Sequence, residues 1–165
     1  MKEMIKAGLM NKFLSVFVLI AMLICYGCVK ESGDGEGPRV TVVSPLPCDT
    51  ITFGEPFVFE MQIEGESKLG NLSIDIHHNF GQHSHGGHVS CEFDDKKDAQ
   101  FPFFEEWLFA LSEDKTSIEF KQEFLFDDAN EDGNPFDTGD YHFHIYVTNQ
   151  DGYLTFTTLD VKLTR

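Results

Sequence analysis

Gly139-Asp140-Tyr141-His142-Phe143-His144-Ile145-Tyr146-Val147-Thr148, followed by Asp151-Gly152, alternates side-chain character with a period of two. That period puts successive side chains on opposite faces of a β-strand. Tyr141, Phe143, Ile145 and Val147 share one apolar face and are expected to fill a core. His142 and His144 then stand together on the outer face, with Cα atoms about 7 Å apart by the strand rise. Asn149-Gln150-Asp151-Gly152 reads as a turn into a last strand over residues 153–163.

Working outward, 40–43, 57–63, 72–76 and 118–126 are short, β-branched or aromatic, and bounded by turn residues. The run 103–111 suits a short helix about as well as a strand and is assigned as strand. This many short strands without a strong helix predict an all-β, antiparallel β-sandwich. The 139–152 stretch resembles the F–G hairpin of bacterial Ig-like domains. If 72–79 is strand C and 141–147 strand F, the two are neighbours in one sheet.

All seven histidines fall in two segments, 77–88 and 142–144. Strand parity turns Leu72, Ile74 and Ile76 inward and Ser73, Asp75 and His77 outward. His78 has inward parity, but the strand is ending there. His83, His85 and His88 follow in a loop with Gly81, Gly86 and Gly87. Neutral imidazole is the commonest protein ligand for Zn²⁺ and Cu²⁺. One divalent-metal site is therefore expected from His77, His78, His83, His85, His88, His142 and His144. Because ligation needs neutral imidazole, affinity should fall as pH drops through about 6.5. The bland alternatives are solvated histidines or a pH-sensing interaction surface.

The chain opens with Lys2, Lys6 and Lys12 before an apolar run over 13–24, which has signal-peptide length. Gly27-Cys28 looks like the end of a bacterial lipobox, although Cys25-Tyr26 departs from its usual pattern. The expected organisation is a signal peptide over 1–27, a tether over 28–38 lipidated at Cys28, and one domain over 39–165. An uncleaved anchor is the alternative, and either places the domain outside the cytoplasm. The tether is rich in Gly and acid and lacks apolar periodicity.

Loss of residues 1–27 moves the formal charge from −16 to −18, which argues against nucleic acid as a partner. Two cysteines then remain, Cys48 and Cys91, and an oxidising compartment favours one disulfide. A thiolate ligand at Cys91 is the alternative. Asp128, Asn130 and Asp132 match the first half of a calcium loop and would hold a second cation, Ca²⁺. Gly139 stands where that pattern needs Glu, so a polar turn is the simpler reading. Ser84 has no nucleophile-elbow context.

Ile76-His77-His78-Asn79-Phe80-Gly81-Gln82-His83-Ser84-His85, with the later Gly-Asp-Tyr-His over 139–142, resembles a domain-of-unknown-function family, number 4625, of Bacteroidota Ig-like lipoproteins. The resemblance implies an Ig-like extracytoplasmic domain with metal handling suspected and no activity established. Lys30-Glu31 followed by further acids also resembles the tether of surface-exported lipoproteins.

The expected function is a non-enzymatic, outer-membrane-anchored lipoprotein of the cell envelope, periplasmic or surface-exposed. It would sequester or deliver Zn²⁺ or Cu²⁺, with an outer-membrane transporter or surface protein as partner. The rival is a glycan- or protein-binding module using the aromatic 101–109 run. A copper–zinc superoxide dismutase is a distant third, because the loops of that family cannot be placed here.

Overall fold

The computed structural model describes residues 36–83, 91–111 and 114–165, and among them there is no helix. The signal peptide, Cys28, Ser84, His85 and His88 lie outside the described residues.

Eight strands follow in order: β1 (Arg39–Ser44), β2 (Thr50–Thr52), β3 (Pro56–Glu64), β4 (Leu69–His78), β5 (Glu105–Ala110), β6 (Ser117–Leu125), β7 (Gly139–Asn149) and β8 (Leu154–Thr164). They form a three-stranded sheet, β1-β3-β6, and a five-stranded sheet, β2-β8-β7-β4-β5. All pairings are antiparallel except β2 with β8. β4 and β7 are neighbours, as the C and F strands of an Ig sandwich are. The 103–111 run is a strand, while β2 escapes the sequence because three residues carry no readable period. Gly37 and Pro38, assigned to the tether, already pack on the domain: Pro38 is buried, and a Cβ on Gly37 would strike the Leu154 carbonyl.

The alternation of β7 sorts as read. Tyr141, Phe143, Ile145 and Val147 are fully buried, facing Phe59, Met61 and Ile63 of the other sheet and flanked by Leu72, Ile74 and Ile76. Phe143 meets Phe59 edge-on at 5.0 Å between centroids. This core fixes which side chains of β4 and β7 emerge on the far face of their sheet.

Tyr141 forms a tyrosine corner. Its hydroxyl donates to the Asp137 carbonyl at 2.7 Å and accepts from the Phe103 amide at 3.1 Å. Burial pushes the phenol up to about 12. Between the ordinary value near 10 and about 12, the folded state keeps a proton that the unfolded state releases, so stability should fall as pH rises through that window. Tyr141→Phe leaves a buried amide without its acceptor. It is expected to cost about 1–3 kcal/mol in urea denaturation at neutral pH and to remove this contribution to the alkaline decline.

Candidate metal centre

The outer face of the five-stranded sheet carries the histidines in register. His77 on β4 pairs with His142 on β7, which pairs with Asp160 on β8. In the next outward row, Glu106 on β5, Asp75 on β4 and His144 on β7 stand side by side. Two strands with the same parity therefore bring three imidazoles together. Their ligand nitrogens all lie within 4.8 Å of one another, close enough that the three could hold a metal ion.

His77 and His142 face each other through Nε2 at 2.5 Å. On a tetrahedral ion with bonds of 2.0–2.1 Å, two such nitrogens stand about 3.3 Å apart, so an ion needs the rings to part by less than about 1 Å. Ring centroids on such an ion would be about 5 Å apart. Here they are 4.2 Å for His77–His142, 4.4 Å for His77–His144 and 4.9 Å for His142–His144.

Two carboxylates stand behind the rings. The Nδ1–H of His77 donates to Asp75 Oδ1 at 2.8 Å, which leaves the lone pair of the neutral ring on Nε2, toward the other histidines. Asp75 Oδ2 is 3.7 Å from His144 Nδ1, and Asp160 Oδ1 is 3.8 Å from His142 Nδ1. His144 also has the Tyr146 hydroxyl at 3.4 Å from Nδ1 and the Phe156 ring at 5.1 Å. Burial, then the Asp75 charge, pushes the Tyr146 phenol up.

The site is not the open surface that parity alone suggests. His142 is fully buried. His83, exposed at the mouth, sits 5.2 Å from His142 and 6.4 Å from His77 between centroids. Its amide donates to Oδ1 of the buried Asn79 at 2.9 Å, which fixes the loop where it leaves β4.

The chain returns at Cys91, bonded to Cys48 with an S–S distance of 2.08 Å, so that sulfur is no thiolate ligand. The Cys48 amide in turn donates to the Asp160 carbonyl at 2.8 Å. Asp94 continues the anchoring. It donates its amide to Asp140 Oδ2 at 2.8 Å and accepts from Lys162 Nζ at 2.6 Å and, through its carbonyl, from Gln82 Nε2 at 2.6 Å. Burial pushes the Asp140 carboxyl up, while the bond to Asp94 raises Lys162.

One sequence expectation fails. His78 does not join the group. It pairs with Tyr141 and packs on the Phe80 ring at 4.7 Å, because one step along a strand reverses the face. Burial, then His77, holds His78 below the ordinary imidazole value. Asp128, Asn130 and Asp132, read as half of a calcium loop, lie between β6 and β7. Asn130 Oδ1 instead accepts from the Asp132 and Asn134 amides at 3.1 and 2.9 Å, making the polar turn that was the simpler reading. Asp160 was not singled out from sequence; only the β7–β8 register reveals it.

A comparison with curated proteins found no match. Among solved structures, the chain is similar to the PKD domain of an M14-like peptidase from a Thermoplasmatales archaeon, with 15% identity and a TM-score of 0.40, over 79% of this chain and 96% of that one. It is similar to the alkylpurine DNA glycosylase AlkC of Pseudomonas fluorescens, with 14% identity and a TM-score of 0.42, over 79% of this chain and 31% of that one. It is also similar to the sporulation control protein Spo0M of Bacillus subtilis, with 10% identity and a TM-score of 0.41, over 78% of this chain and 50% of that one. A family model matches residues 26–164, and the chain accordingly belongs to the family described as Domain of unknown function (DUF4625).

Proposed function

We propose that this is an extracytoplasmic lipoprotein that binds one divalent transition-metal ion, Zn²⁺ or Cu²⁺, for sequestration or delivery rather than catalysis. His77, His142 and His144 are the ligands, and His83 closes the coordination from the mouth. The observation that carries this reading is the convergence of three imidazoles, with ligand nitrogens within 4.8 Å, on two strands fixed by a common core. Imidazole donors without thiolate suit Zn²⁺ and Cu²⁺ rather than Ca²⁺ or Mg²⁺. The lipid anchor rests on Gly27-Cys28 and would hold the domain at the outer membrane.

A second reading, a glycan- or protein-binding module, draws on Phe104 and Leu108, exposed at 63% and 73% beside the site.

Elemental analysis of untagged protein purified from membranes and desalted separates the two. One Zn or Cu per chain is expected. A metal-free protein that also fails to take up either ion at micromolar concentration would rule out the metal reading and leave the binding module.

A further inference from the structure

We infer that Asp75 and Asp160 act as positioning residues that make the histidine site selective for divalent over monovalent cations. This rests on the metal-binding reading and goes beyond it, because the same imidazoles without carboxylates would accept either charge.

The sheet register carries the inference. Asp75 lies two residues from His77 on the same face of β4 and directly across from His144, so one carboxylate serves two rings. Its oxygens stand 2.8 Å from His77 Nδ1 and 3.7 Å from His144 Nδ1. Asp160 lies directly across from His142 on the other side, at 3.8 Å from its Nδ1. His77 thus has a hydrogen-bonded carboxylate at Nδ1, the arrangement that fixes ring orientation and raises ligand basicity at the opposite nitrogen, while at 3.7 and 3.8 Å the carboxylates near His144 and His142 act through their charge. Both carboxylates are largely shielded from solvent, with side-chain exposures of 16% and 25%. Lys162, the cation of β8, is engaged by Asp94 at 2.6 Å and Asp140 at 3.8 Å.

Charge sets the consequence. Three neutral imidazoles contribute nothing to the balance, and Glu106, in the row of Asp75, is exposed and screened by solvent, so the two shielded carboxylates match an ion of charge +2 and overcompensate an ion of charge +1. The Coulomb energy between a fixed carboxylate and a bound ion is proportional to the charge of that ion. Removing one carboxylate charge therefore weakens a divalent ion by about the square of the factor by which it weakens a monovalent one. A loss of mere structural support would weaken both by the same factor.

The test titrates Zn²⁺ and, in chloride-free nitrate buffer, Ag⁺ into full-length protein in detergent, as wild type, Asp75→Asn, Asp160→Asn and Asp75→Glu. Asparagine keeps the size and one acceptor oxygen, removes the charge and puts an NH2 donor in place of the second oxygen. Asp75→Asn is expected to weaken Zn²⁺ by about 10–100-fold and Ag⁺ by only about 3–10-fold, the square root of that loss. Asp160→Asn should shift the ratio in the same direction, and Asp75→Glu should restore most of it. Equal loss of both ions, or unchanged affinities in both asparagine variants, would overturn the proposal while wild-type Zn²⁺ binding left the metal reading standing. Wild-type protein that took up neither ion would sink both. Asp160→Asn, at the more exposed carboxylate, keeps the test decisive should Asp75→Asn fail to fold.

Discussion

Replacing His142 and His144 together with glutamine is expected to lower Zn²⁺ affinity by at least about a thousand-fold. Structural zinc sites with four ligands are worth about 10–16 kcal/mol, or roughly 3 kcal/mol per ligand, and each 1.4 kcal/mol is a factor of ten. Two ligands lost from one strand leave His77 and His83, which cannot define a tetrahedron. The fold should survive, because both side chains are on the outer face and the core set of β7 is untouched. Competition against a chromogenic chelator reads the affinity, and the tryptophan emission of the partly buried Trp107 reports on the fold.

His78→Gln is the sharpest control. It sits beside His77 in sequence but faces away, so its affinity should match wild type. Wild-type affinity in the double variant, or a loss at His78 equal to that of the double variant, would mean that the ligand set has been misassigned.

Strand parity carried most of the fold and half of the site. A period of two is unambiguous when one face is as apolar as Tyr141-Phe143-Ile145-Val147, and the same logic turned His77, His142 and His144 outward together. It could not decide His78, because parity loses meaning where a strand ends in a Gly-rich loop. It could not show that His142 is buried either, since cover by His83 and neighbouring rings is a long-range fact.

Asp160 was nearly within reach. In a hairpin the register is fixed by the turn, and β7–β8 pairs Thr148 with Leu154 and His142 with Asp160 in unbroken antiparallel order. Placing the 149–153 turn one residue off would have exchanged the face-sharing partner for a core residue. A carboxylate among half-buried threonines carries no other mark. Asp75 was visible but ordinary; it becomes particular only when β7 sets His144 across from it.

Replacing Cys48 and Cys91 together with serine is expected to destabilise the domain by about 4 kcal/mol, from the chain entropy of the loop the bond closes. The sequence separation is 43 residues, and all of β2, β3 and β4 lies inside it. The unfolded chain gains freedom that the native state cannot recover. Urea denaturation should show a lower midpoint with a raised slope, since the uncrosslinked unfolded state exposes more surface.

The bond also ties two features that otherwise meet only weakly. Cys48 holds the Asp160 backbone through its amide, and Cys91 brings the chain back beside Asp94, which Gln82 bonds next to His83. Zn²⁺ bound across His77, His142, His144 and His83 would crosslink part of the same region. Wild type and variant should therefore both be more stable with saturating Zn²⁺ than in chelator, by equal amounts, because an ion that binds only the native state adds stability as its concentration exceeds Kd. Stability unmoved by Zn²⁺ in both proteins would show that no ion binds there and that the bridge acts on the chain alone.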